Sequence, residues 1–243
     1  MVLILSVLLV LFPAIVAAES AQPKPIRVLI VTGAEHPAHR WHENSLAIRD
    51  ALASSERFEV RVSEDPEILA TRVTDRYDVV ILNYCNWEKP LPSKEALEGL
   101  VNFVRGGKGL VVIHFSSGAF PDWPEYEKLI GRVWDKVSTH DPYRTFHVQV
   151  VDREHAITRK LADFDISDEL YFCLTGNPEI RILLTARSEV TKKDEPMGFV
   201  LQYGKGRVFH TPLGHDVKGL TAPGFVQLLR GACEWAATGD VTE

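Results

Sequence analysis

The chain has 243 residues, of which 45% are hydrophobic and 25% charged, and its formal net charge is -6. That length suits a single α/β domain, and the composition is ordinary for a soluble globular protein. Acids and bases are scattered without a basic stripe to track a phosphate backbone, so no nucleic-acid partner is expected.

In chain order, the first feature is Val2 to Val16, an uncharged apolar run followed by Ala17-Ala18-Glu19-Ser20. Small residues at Val16 and Ala18 make 1–18 a secretory signal peptide. The run is shorter than the roughly 20 residues needed to span a bilayer, and Pro13 interrupts it. The expected product is therefore exported, periplasmic or secreted, with no stable membrane insertion after cleavage. Residues 19–25 read as a polar linker and 26–239 as one folded domain.

Ile26 to Gly33 is a continuous apolar run ending in glycine, the pattern of a strand buried on both faces. Tyr77–Asn83 and Gly109–His114 repeat it, whereas Phe58–Val62 alternates as a strand nearer a sheet edge does. Leu46, Ile48, Leu52 and Ala53 predict the buried side of a helix beginning near His42. Ser93 predicts the N-cap of a helix carrying Leu97, Leu100, Val101 and Val104, which Gly106-Gly107 end. Strands alternating with helices define a doubly wound, mostly parallel sheet. Further on, Thr145–Val151 alternates, and Met197–Tyr203 and Arg207–Thr211 flank Gly204-Lys205-Gly206 as an antiparallel hairpin. Pro223 opens a closing helix with Phe225, Leu228, Leu229, Ala232, Trp235 and Ala236 at helical spacing. The three cysteines, Cys85, Cys173 and Cys233, form no disulfide framework. Cys233 reads as a small core residue.

Ligands of open parallel sheets bind outside the carboxyl ends of the strands. Histidines and acids gather in the segments that follow strands: His36, His39 and His42 after the first, His114 at the end of the Gly109 run, His215-Asp216 after the Arg207 run. Ser138–Pro142 adds His140, and Ser167–Tyr171 adds Asp168 and Glu169. Neutral imidazole and carboxylate suit general acid–base chemistry, and also ligation of a divalent metal, zinc or similar, although none of the close spacings is a recognised metal motif. His39 reads as a polar residue on a surface loop, His147 and His210 as solvent-facing or satisfied core residues, and His155 as a cap before a short helix. His114 and His215 are harder to assign to structure alone. Trp41, Trp87, Trp123, Trp134 and Tyr171 lie in or near these loops, where aromatic faces suit sugar rings.

Taken together, these blocks resemble the ThuA-like (trehalose-utilisation) family of the class I glutamine-amidotransferase-like, flavodoxin-related folds. The resemblance runs from Arg27 to about Ala237. Its blocks are Val28–Gly33 with His42, Phe103–Gly109, Val112-Ile113-His114 with Asp122-Trp123-Pro124, Thr139–Pro142, Asp152 with His155, Asp168–Tyr171, and Gly204–Phe209 through His215. It implies a flavodoxin-like sheet and a small-molecule carbohydrate ligand, a disaccharide or keto-glycoside. It also implies that His114 stands where amidotransferases carry their nucleophilic cysteine, so glutamine amidotransfer is not expected, nor is a nucleotide cofactor. On this reading His114, Glu169 and His215 hold a metal or stabilise an enolate, and His140 is the base. His42, Trp123, Asp168 and Tyr171 contact substrate. The expected reaction is that of a lyase, isomerase or hydrolase. The rivals are a non-catalytic sugar-binding module and a metal-dependent glycoside hydrolase working through paired carboxylates such as Asp168 with Glu169 or Asp122.

Overall fold

A computed structural model describes residues 24–34, 36–87 and 90–242. The predicted signal peptide and most of the linker lie outside the described residues. The three buried apolar runs become β1 (Ile26–Val31), β3 (Val79–Leu82) and β4 (Gly109–Ile113), and the alternating segment becomes β2 (Phe58–Ser63). Between them lie α1 (Trp41–Ala53) and α2 (Lys94–Arg105), and α3 (Pro124–Ile130) follows β4. Ser93 caps α2 as expected, its hydroxyl accepting the Ala96 N–H. On α1 the buried face is Asn44, Ser45, Ala47, Ile48, Ala51 and Leu52. Leu46 is half-buried and Ala53 exposed, so the predicted face is rotated by about a residue. The polar Asn44 and Ser45 point inward because they hold loops, as shown below.

The second half is more antiparallel than the sequence suggests. After the short β5 (Thr139–His140) come β6 (Arg144–Val150), β7 (Phe164–Asp168) and the short β8 (Tyr171–Phe172). Then follow β9 (Arg181–Arg187), β10 (Asp194–Tyr203), β11 (Gly206–Thr211), α4 (Val217–Leu220) and α5 (Pro223–Thr238). One nine-stranded sheet runs β2-β1-β3-β4-β11-β10-β9-β6-β7. The steps from β2 to β11 are parallel and those from β11 to β7 antiparallel. The predicted hairpin is therefore the first turn of a four-strand antiparallel wing. Strand β7 went unpredicted because Asp165, Ser167 and Asp168 mask its apolar alternation. No helix forms after His155, whose Nδ1 accepts the Ile157 N–H instead. No helix among the described residues is long and apolar enough to cross a membrane.

Alternate side chains of the parallel strands feed two cores, one on each sheet face. Val28 and Ile30 meet α1 and α5, whereas Leu29 and Val31 join the core built with α2 and α3. Cys233 is fully buried in the first. Glycine is required at 33, where φ is +117° and a Cβ would lie 1.9 Å from the Glu64 carbonyl oxygen. This turn lets the chain leave β1 and enter the loop carrying His36 and His39.

His210, in mid-β11, is fully buried; its Nδ1–H donates to the Ile130 carbonyl at 3.1 Å, and Nε2 has no partner among the described residues. Burial, with Arg132 nearby, pushes it down to about 4. The folded state therefore keeps His210 neutral while the unfolded chain takes up a proton as pH falls through about 6.5. Stability present above pH 6.5 is lost between 6.5 and 4, by about 3 kcal/mol in all. Denaturant titrations at pH 7 and 4.5 should show His210→Leu losing less stability than the parent; equal losses would refute the assignment.

Candidate active site

The site starts at the end of β4. His114 follows the last strand residue with φ 47°, a left-handed backbone that costs a β-substituted residue energy. The strained elbow lifts its side chain from the strand edge, and a 3-10 turn over His114–Gly118 follows. Ser116 anchors this turn to β3, donating to the Leu82 carbonyl and accepting the Tyr84 N–H. His114 Nδ1 lies 2.7 Å from the Pro212 carbonyl oxygen. Nδ1 therefore carries the proton, and the Nε2 lone pair faces the cleft.

Beyond β11, Gly214 with φ +111° turns the chain so that His215 faces His114. His215 Nδ1 stands 3.3 Å from His114 Nε2 and 3.1 Å from Glu169 Oε2. Glu169 Oε2 is also 3.6 Å from His114 Nε2, and Oε1 is 3.8 Å from His140 Nδ1. His39 completes the group: one donor atom from each of His39, His114, Glu169 and His215 lies within 4.8 Å of all the others. A tetrahedral zinc with bonds of about 2.0–2.1 Å needs ligand atoms about 3.4 Å apart.

His39 is the main correction to the sequence reading. Rather than lying on the surface it is 4% exposed, stacked on Phe115 with centroids 4.7 Å apart. Burial, then the neighbouring His114 and His215, lower its proton affinity to about 2, so it is neutral. Its spacing from other histidines carried no signal; only the fold's packing of the β1 loop onto the elbow reveals it. Burial works against charge on Glu169, yet the neighbouring His114 and His215 rings hold its carboxyl well below the usual range. Burial also opposes charge on His215, and the Glu169 carboxylate overcomes this, raising it.

Asp168 and Glu169 point apart, as adjacent residues of an extended chain do. Asp168 is fully buried and accepts N–H bonds from Gly214 at 2.7 Å, His215 at 3.1 Å and Glu169 at 2.8 Å. Burial pushes its proton affinity up, against those donors. Its carboxylate is spent on backbone, which argues against substrate contact or a hydrolytic pair with Glu169. Asn44, on α1, braces the same loop by donating to the His215 carbonyl at 2.9 Å.

Of the other predicted residues, Tyr171 is central: its hydroxyl is 2.7 Å from His114 Nε2 and 3.4 Å from His39 Nε2. His140 stands at the rim, its Nδ1–H donating to the Asp141 carbonyl at 2.7 Å. His42 is not brought in; it is exposed on α1, where its ring meets Trp41. Trp123 packs on Phe120 and Tyr126 in the second core and is likewise not joined to the cluster. Asp122 is exposed. Cys85 is buried, and burial drives its thiol up to about 12, so it keeps its proton.

Aromatic rings adjoin the polar cluster. Trp134 stands edge-on to Tyr171 with centroids 4.5 Å apart, and Trp87 is 6.1 Å from Trp134. Tyr143 is 5.7 Å from His215 and donates to Asp216 Oδ2 at 2.9 Å. Trp87 and Tyr143 are about two-fifths exposed, at 39% and 41%. No motif or spacing singles out Tyr143 in advance.

A flavodoxin-like sheet with a histidine–carboxylate cluster over its carboxyl edge defines the class. The chain belongs to the ThuA family, described as trehalose utilisation, whose model matches residues 27–236. Its role is accordingly carbohydrate-related. Among solved structures it is similar to a ThuA-like protein from Parabacteroides merdae, at 27% identity and TM-score 0.80, covering 90% of this chain and 92% of that one. It also resembles a ThuA-like protein from Bacteroides uniformis, at 21% identity and TM-score 0.74, over 94% and 96% of the two chains. A β-galactosidase from Bacillus circulans shares the fold over 84% of this chain and 30% of its own length, at 15% identity and TM-score 0.55. No curated protein matches the chain.

Proposed function

We propose that the protein is an exported enzyme that abstracts a proton beside the carbonyl of an oxidised sugar, such as a 3-keto-glycoside, at a divalent-metal site formed by His39, His114, Glu169 and His215. The observation that carries this reading is the convergence of two imidazole lone pairs, a third imidazole and a carboxylate on one small volume. Such a donor set, poor in protons, suits zinc or a similar cation. When bound, the metal would polarise the ketone oxygen and make the neighbouring C–H more acidic.

The chain's own residues supply the rest. His140 donates its Nδ1–H to the Asp141 carbonyl, so its Nε2 lone pair is free to accept the abstracted proton, leaving the C–H electron pair as an enolate. Trp87, Trp134 and Tyr143 offer faces to the C–H surfaces of sugar rings. The fully buried Asp168 keeps the Glu169 and His215 loops in register. Export rests on the apolar run Val2–Val16 and the small residues after it.

Elemental analysis of the purified protein should find one equivalent of divalent metal, removable by mild chelation. The metal-loaded protein should catalyse deuterium exchange from solvent beside the ketone of a 3-keto-glycoside while leaving the unoxidised glycoside intact. Absence of metal under every loading condition, together with no exchange, would sink the proposal. Cleavage of the unoxidised glycoside would favour a hydrolase instead.

A further inference from the structure

The hydrogen-bond inventory of the cluster assigns one residue a part that its position alone does not suggest. His114 Nδ1 donates to Pro212, so the only acceptor on that ring is Nε2, 2.7 Å from the Tyr171 hydroxyl. His36 Nδ1 accepts the Ala38 N–H at 3.2 Å, which makes His36 Nδ1 an acceptor. His39 Nδ1, 3.3 Å from it, must then donate, and the His39 Nε2 lone pair is left turned toward the same hydroxyl at 3.4 Å. A phenol has a single proton to give. Tyr171 thus gives its one O–H to His114 Nε2, the nearer of two lone pairs that a metal at this site would need; His215 Nδ1, at 3.3 Å, is the other group beside that nitrogen.

We infer that Tyr171 is a placeholder for a cation: its hydrogen bond to His114 must be released before a cation can take that nitrogen. This rests on the metal reading proposed above. Tyr171 is 3% exposed, so its hydroxyl cannot turn to bulk water where it stands. A cavity of about 100 Å³ adjoins it, lined by Tyr171, Phe172, Cys173, Arg132, Glu195 and Phe199. That volume adjoins the residue that has to yield, and Arg132 and Glu195 line the same space. The placeholder competes with a cation for His114 Nε2 and so lowers metal affinity.

The test compares zinc affinity of the purified parent and Tyr171→Phe by competition with a chromophoric chelator. Removing one competing hydrogen bond of ordinary strength should tighten zinc binding roughly three- to tenfold. In the parent, zinc addition should also produce a tyrosine difference absorption that Tyr171→Phe lacks. Equal or weaker binding by Tyr171→Phe, with the parent still binding zinc, overturns the placeholder and leaves the metal site standing. A parent that binds zinc without any tyrosine signal overturns it too, and this arm needs no variant to fold. If neither protein binds zinc or manganese, the metal reading fails and the placeholder with it.

Discussion

His114→Ala is expected to lose metal and turnover together. Removing partners of metal ligands alone typically lowers affinity 10- to 100-fold, so deleting a ligand should weaken binding by at least roughly 100-fold. Turnover of a 3-keto-glycoside should fall by at least the same factor, and His215→Ala should behave alike. Full turnover of every keto-sugar tried by both variants would remove these residues from the chemistry. A companion measurement separates the site from the strain beneath it. At φ 47° glycine is relaxed where alanine is not, so His114→Gly should be about 1 kcal/mol more stable than His114→Ala while being just as inactive. Denaturant titration reads the first expectation, and a turnover assay of both variants reads the second.

Asp168→Ala is expected to be the most destabilising single change at the site. The carboxylate is fully buried and satisfies the N–H groups of Glu169, Gly214 and His215. Its loss would leave one buried and two half-buried donors without this partner, at about 1–3 kcal/mol for a fully buried group before relaxation and less for the other two. A net loss of about 3–5 kcal/mol follows, enough to unfold a domain of ordinary stability. Asp168→Asn keeps the shape and one acceptor oxygen, so it should lose less stability while still slackening the Glu169 and His215 loops. Stability of Asp168→Ala within 1 kcal/mol of the parent would show that this carboxylate does not organise the two loops.

Much of this was legible before any coordinates. The glycine-terminated apolar runs state the parallel half, because a strand covered on both faces has no polar side to show. Ser93, Pro223 and Gly204-Lys205-Gly206 mark boundaries through local backbone chemistry, and all three fall where the structure puts them. His114 and His215 stood out because each follows a buried strand at a turn of small residues. What escaped detection depends on packing between distant segments. His39 looks like loop polarity until Phe115 and Tyr171 close over it. Asp168 and Glu169 are neighbours in sequence with opposite employment, and only the direction of each side chain tells them apart. His42 and Trp123 lie near the promising loops in sequence but are not joined to the cluster, since proximity to a loop is not orientation into it. Strand β7 was hidden because its outward and cluster-bracing residues are acidic or hydroxylic, which breaks the apolar alternation on which such a reading depends.

The members of the cluster come from remote stretches of chain: Tyr171 meets His39 across 132 residues, and His215 meets His114 across 101. No fragment of the fold can assemble it, so affinity for whatever fills it belongs to the fully wound sheet alone. Mass action then turns the whole domain into an indicator. A compound bound at a hundred times its dissociation constant should stabilise the native state by about 2.7 kcal/mol and raise a single melting transition. A collection of sugars and their oxidised derivatives can therefore be ranked by melting temperature alone, before any reaction is known.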